Sequence, residues 1–156
     1  MDKRENSIAT SDDNILAEAI RLVSEGIAVT FPVNGRSMLP FIVGGRESVV
    51  LESPRPPQVG DVVLAYVENC RYVIHRILKI EGDNVTLMGD GNLYGVERCR
   101  LQDIKATATH VVGKGGERRS LDSRQSRRRA ALWLRLKPVR KWLLLAYRIK
   151  EKVKQL

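Results

Sequence analysis

The sequence predicts a mainly β domain with one helix before it and one helix after it. Between Ala28 and Val112, short runs of Val, Ile, Thr, Phe and Tyr alternate with turns built on Gly, Pro, Asn and Asp, the composition of a strand-and-turn chain. Apolar residues recur at helical spacing near the two ends, from Ile15 to Val23 and again beyond Ala130. At 156 residues the chain has room for one domain with a core plus an appendage. The expected divisions are a helical lead-in over 1–25, a β domain over 26–116, and a basic linker with an amphipathic helix over 117–156.

Ser11-Asp12-Asp13-Asn14 offers capping side chains ahead of Ile15, Leu16, Ala19, Ile20 and Val23, which share one apolar helical face, and Gly26 supplies the stop. Ala28 to Val33 is expected as a strand. Asn34-Gly35 then turns the chain, and Pro40 limits any helix after Ser37. Gly44-Gly45 allows a reversal before a strand over Ser48 to Leu51. Pro54-Arg55-Pro56-Pro57 is a stiff, exposed connection, because proline fixes φ and donates no ladder hydrogen bond. Val62 to Val67 and Tyr72 to Ile80 flank Glu68 to Arg71, the pattern of a hairpin with a four-residue loop. Glu81 to Asn84 is the next turn. A short strand follows from Val85 to Met88, and a last long one from Ile104 to Val112, with Gly113 to Gly116 closing the β body. Glu117 to Arg129, rich in Ser and Arg, has the composition of a linker. From Ala130 onward Leu132, Leu136, Val139, Leu143 and Ala146 recur at helical spacing, and Pro138 kinks or divides the segment.

Charge separates the two ends of the chain. From Lys114 onward there are 15 Lys or Arg against 3 acidic residues, whereas the preceding part has 12 against 15. A basic tail on a mildly acidic body points to an anionic partner, either phospholipid headgroups or nucleic acid. Trp133, Trp142 and Tyr147 set among Lys and Arg form the composition of an interfacial helix, which ranks an anionic membrane surface ahead of nucleic acid. No helix-turn-helix pair precedes the β region, so a DNA-reading head of the common repressor kind is not expected. Cys70 and Cys99 lie far apart and there are only two histidines, so no zinc-site pattern exists and no metal or cofactor is expected. Both cysteines are expected as reduced thiols, with a single disulfide as the alternative. Met1 to Asn14 lacks the basic start, apolar run and small-residue cleavage site of a secretory signal. No uncharged apolar run approaches the ~20 residues that span a bilayer. The expected location is therefore cytoplasmic, including the inner face of the cytoplasmic membrane.

Four blocks hold the candidate chemistry: Gly35-Arg36-Ser37-Met38-Leu39-Pro40, Gly60-Asp61-Val62-Val63, His75-Arg76-Ile77 and Gly89-Asp90-Gly91-Asn92. Taken singly, each has a plain structural explanation. Ser37 suits a glycine-flanked turn, His75 suits a packed strand position, and Asp90 between two glycines suits a turn. Taken together they supply a hydroxyl, a base and a carboxylate, the parts of an acyl-transfer site. A serine hydroxyl becomes a useful nucleophile when a base within reach takes its proton and a third group fixes that base's tautomer. Gly35 permits close backbone approach, and the turn is placed to present the Ser37 N–H to a developing oxyanion. His110, the other histidine, stands away from these blocks and is expected to be structural.

In order and spacing the four blocks resemble the signal peptidase I and LexA-like superfamily of serine peptidases, over about Gly26 to Gly113. The resemblance implies that superfamily's folded β-sheet domain. In bacterial signal peptidases and self-cleaving repressors the third block supplies a lysine. Here it supplies His75, as in the archaeal and endoplasmic-reticulum type enzymes, whose Gly-Asp-x-Asn block also matches. The resemblance thus implies a serine endopeptidase with Ser37 as nucleophile, His75 as general base and Asp90 orienting His75. Met38 would line the pocket for the small side chain before the scissile bond, Gly35 would allow the substrate to approach, and Asp61 would hold the Gly60 turn. Glu97 is the nearest counterpart of the family's second acidic residue. No membrane anchor of the family's N-terminal kind is expected, which would be a departure from the family. The expected substrate is an extended peptide or protein segment that pairs with a sheet edge. Two other readings stand beside this one: a catalytically inactive relative that binds peptide, lipid or nucleic acid, and a self-cleaving protein of the repressor type, which is weakened because no DNA-binding head is expected.

Overall fold

The computed structural model describes residues 3–156, with side chains from Asp12 onward. The β-branched runs build eight strands: β1 (Val29–Pro32), β2 (Ser48–Glu52), β3 (Val62–Val67), β4 (Arg71–Glu81), β5 (Asn84–Met88), β6 (Glu97–Arg100), β7 (Ile104–Val112) and β8 (Arg118–Ser120). They form one curled antiparallel sheet in the order β1-β2-β7-β3-β4-β5-β6, and β8 adds to β7. Helix α1 (Lys3–Ser24) precedes the sheet, and α2 (Arg124–Arg135) and α3 (Arg140–Lys154) follow it.

β3 shows how the curl is made. Its sequence Val-Val-Leu-Ala-Tyr-Val has little of the polar alternation of a half-wet strand, because both of its faces are covered. Val62 and Leu64 enter a core with Met38, Ile42, Val49, Leu51, Ala106 and Val23 of α1. Val63, Ala65 and Val67 enter a second core with Val73, Ile77, Val85, Leu87 and Cys99. Leu16 and Ile20 pack against the first core beside Val23, and Ala19 is buried, whereas Ile15, foreseen on the same apolar stripe, stays exposed. The helix nevertheless runs through the expected capping stretch; the Ser11 side chain lies outside the described residues. It ends at Gly26, whose φ of 84° is the left-handed conformation that favours glycine.

Three parts of the chain differ from expectation. The β3–β4 loop is one residue tighter than foreseen, with Cys70 at φ 58°. β6 was hidden because Glu-Arg-Cys-Arg has no apolar alternation, yet Glu97 and Cys99 are buried and Arg98 and Arg100 exposed. Most of the supposed linker is ordered: Arg118–Ser120 pairs with β7, and α2 begins at Arg124 behind an N-cap in which the Ser123 hydroxyl accepts from the Ser126 N–H at 3.1 Å. What holds α2 down is a charge network invisible in sequence. Asp61, its side chain fully buried, accepts from Arg127 at 2.7 Å and Arg55 at 3.3 Å, and its second oxygen accepts from the Gln58 N–H at 3.0 Å. Asp61 thus secures the Gly60 turn, as expected, and also the helix after it.

Pro138 does divide the tail. A 3-10 turn over Lys137–Val139 separates α2 from α3. Leu39, Trp133 and Leu144 then form a third core with Phe41, Val43, Leu93 and Tyr147 against it, so both tail helices rest on the β domain. Among the described residues no helix is long and apolar enough to cross a membrane.

Candidate active site

His75 sits in the middle of β4, opposite Val63 of β3, and is 4% exposed. Its Nδ1 lies 2.9 Å from Glu97 Oε2, while the other oxygen of Glu97 accepts from Arg71 at 3.0 Å. A carboxylate only accepts, so Nδ1 carries the proton, and in the neutral imidazole that leaves the lone pair on Nε2. That is the tautomer a general base needs. The partner that sets it comes from β6, two strands away across the sheet, and the Arg71 guanidinium on β4 holds the carboxylate in place.

The Ser37 turn is clamped between glycines. The Gly91 N–H donates to the Ser37 carbonyl at 2.8 Å, and a Cβ at Gly89 or Gly91 would collide with the Ser37 or Arg36 carbonyl respectively. On the opposite side a Cβ at Gly44 would collide with the backbone of Gly35. The site that a Cβ at Gly89 would fill also lies 3.1 Å from His75 Nε2. One glycine therefore brings the Ser37 backbone and the Nε2 edge of His75 together. Ser37 is half-buried, and it shares with His75 a cleft of about 390 Å³, walled by Phe31, Leu64, Ile74 and, from α1, Leu16. Among the described residues no hydrogen bond joins Ser37 Oγ to His75. Such contacts are often long in a free site and tighten when substrate arrives.

No protein-family model and no curated protein matches this chain. The site's geometry and the sequence blocks are what bear on its chemistry.

Asp90 is placed differently from the role the resemblance implied. Its carboxylate forms a two-point bond with Arg76 (2.8 and 2.7 Å), and both side chains are almost completely buried. Arg76 also donates to the Gly60 carbonyl at 2.8 Å and stacks on Phe41. Because neighbouring residues of a strand point to opposite faces, Arg76 and its Asp90 lie on the side away from His75. The group hydrogen-bonded to His75 is Glu97. Met38, expected along the cleft, is 1% exposed and packs into the core with Val33 and Ile42. Gly35, at φ 82°, allows the turn but borders a separate groove rather than this cleft.

Sequence reasoning missed the tail's part in the site. Trp133 of α2 is 7% exposed, and its Nε1–H donates to the Asp90 carbonyl at 2.7 Å. Arg140 of α3 donates to the Trp133 carbonyl at 3.0 Å and stacks on its ring, and burial lowers its pKa below the ordinary arginine value against the opposing charge of Asp90. The Gly89-Asp90-Gly91 loop is thereby held by Ser37 and Arg76 on one side and by the tail on the other. The signal available in sequence was the Ser123 cap followed at helical spacing by Ala130 and Trp133.

Proposed function

We propose that the chain is a serine endopeptidase resembling the signal peptidase and LexA-like superfamily, cleaving an extended peptide with Ser37 and His75 at an anionic membrane surface. The observation that supports it best is the orientation of His75: Nδ1 tied to Glu97, Nε2 directed to the Gly89 junction with the Ser37 turn. In this reading the peptide lies in the cleft, His75 Nε2 takes the Ser37 proton, and Oγ attacks the scissile carbonyl. The oxyanion is met by backbone N–H of the Ser37 turn. The imidazolium, stabilised by Glu97, protonates the leaving amine, and water then releases the acyl group by the same path reversed. Glu97 replaces Asp90 as the residue that orients the base, while Asp90 holds the loop.

The membrane part of the reading rests on α3. Trp142, Leu145, Ile149 and Val153 recur at one helical face and are exposed, Trp142 to 65%, on the side opposite Leu144 and Arg140, which are buried. Lys141, Arg148, Lys150 and Lys152 flank that stripe. Basic residues beside an apolar stripe suit the interface of an anionic bilayer.

A fluorophosphonate probe tests the chemistry. Labelling of the wild-type chain that is lost in Ser37→Ala and His75→Ala supports the peptidase. The open Ser37–His75 pair favours one rival, a binding module that uses the same cleft without cleavage. That reading predicts peptide binding with no labelling.

A further inference from the structure

A groove of about 500 Å³ runs between the Ser37 turn and α3, apart from the Ser37–His75 cleft. Such a volume falls within the ~300–1,000 Å³ range of small-ligand sites. Its apolar wall comes from Leu39 and Val43 on one side and from Leu145 and Ile149 on the other. Arg36, Arg148, Lys152 and the carboxylate of Glu151 line it as well, and among the described residues Glu151 pairs with Arg46 and Lys154 while no ion pair engages Arg36, Arg148 or Lys152. The remaining cation of the groove, Arg46, is matched by Glu151 at 2.8 Å.

An apolar trough rimmed by unmatched cations is complementary to an amphiphile with an anionic head. A free inorganic anion would satisfy the cations but leave the trough wet. Single-stranded nucleic acid would need successive stacking faces, and Tyr147 is the only aromatic residue of the lining. Leu145 and Ile149 belong both to the groove wall and to the exposed stripe of α3, so a bilayer lying on the stripe brings its lipids to the mouth of the groove. We infer that this groove binds one anionic phospholipid, its headgroup against Arg36, Arg148 and Lys152 and its first acyl carbons along Leu145 and Ile149. The inference deepens the membrane-surface part of the function proposed above and rests on it. The occupant would lie against the turn that presents Ser37 on its other side, since Gly35 and Arg36 belong to both.

The test is calorimetric titration of the full chain with dihexanoyl-phosphatidylglycerol below its micelle-forming concentration. The expected result is saturable binding of one lipid per chain. Dihexanoyl-phosphatidylcholine and inorganic phosphate should each bind at least about tenfold more weakly, equivalent to about 1.4 kcal/mol. The double variant Arg148→Ser/Lys152→Ser and the single variant Ile149→Asp should lose affinity by a similar factor. These positions are exposed, and unchanged thermal melting would show that the fold is intact. Equal binding of the two lipids, equal binding of phosphate alone, tighter binding of a short acidic peptide than of the lipid, or unchanged affinity in the variants would each overturn the inference. Co-sedimentation with phosphatidylglycerol vesicles separates it from the broader reading. Capture by vesicles without binding of the monomeric lipid sinks the groove and leaves the membrane surface standing, whereas absence of both sinks both. Fluorophosphonate labelling of Ser37 bears only on the peptidase.

Discussion

At the residue scale, the division of labour between two carboxylates is the point most open to experiment. Glu97→Gln keeps the shape of the side chain but allows the wrong His75 tautomer, so kcat on a peptide substrate should fall by as much as about 10⁴ with KM and melting temperature little changed. Asp90→Asn should act on the fold instead. It leaves the buried Arg76 guanidinium without its charge partner, and the expected loss is about 3–5 kcal/mol in urea unfolding. If Asp90→Asn were fully stable and inactive while Glu97→Gln stayed active, the roles would have to be exchanged. The cysteines give a separate check on packing. Burial pushes the Cys99 thiol up to about 11, whereas Cys70 is exposed in the β3–β4 loop. At pH 8 Cys70 should react with Ellman's reagent promptly, and Cys99 only as the sheet opens.

At the element scale, α2 and its charge network hold the tail to the sheet. Trp133→Phe removes the N–H donated to the Asp90 carbonyl and keeps most of the ring packing, so it should cost about 1–3 kcal/mol. Trp133→Ala also empties the space between Phe41 and Arg140 and should cost about 3–5 kcal/mol, read by chemical denaturation. Equal and small effects would mean that α2 does not hold the loop. Asp122 offers the pH test. Hydrogen bonds from the Arg55 guanidinium hold its carboxyl below the usual carboxylate range, with Arg127 adding to the effect. A lowered folded pKa means stability that is present above the unfolded value of about 3.9 and lost as pH falls through the folded value. Asp122→Asn should therefore lower the melting temperature at neutral pH, and the difference from wild type should shrink below about pH 4.

At the scale of the whole molecule, the net charge of the tail and the exposed stripe of α3 should act together. Vesicles rich in phosphatidylglycerol should capture the chain and release it as salt rises, since each nearby Lys or Arg contributes about 1 kcal/mol, screened beyond roughly 8 Å at physiological ionic strength. Trp142 emission should shift to the blue on binding, while Trp133, already buried, should not respond. A shift that survives Trp142→Phe would contradict this placement. Removing the chain after Gly116 deletes β8, Trp133 and Leu144, so it should cost stability as well as vesicle binding.

Features that depend on local pattern are legible in the unfolded chain. Strand runs such as Val62 to Val67, the glycine-bounded turns, the Leu16–Ile20–Val23 stripe and the division at Pro138 follow from periodicity, from φ preferences and from missing N–H donors, all of which act over a few residues. The sequence also brought Ser37, His75 and Asp90 to notice as groups of the right chemistry, and Glu97 only through the family resemblance. Which carboxylate meets which base is settled by the folded sheet alone, because Asp90 and Glu97 are a few residues apart in the chain yet serve opposite faces of it. The same holds for Arg127, which in sequence is one of a run of solvated charges and in space is the partner of buried Asp61. The apolar face foreseen across Leu132, Leu136, Val139, Leu143 and Ala146 carries one helical phase across Pro138, although a kink or division is expected there. The turn at Pro138 resets that phase, and the sheet beneath takes Trp133 and Leu144, leaving Trp142, Leu145, Ile149 and Val153 outside. Long-range pairing of charges and competition between two surfaces for one helix are properties of the assembled chain, and no local spacing encodes them.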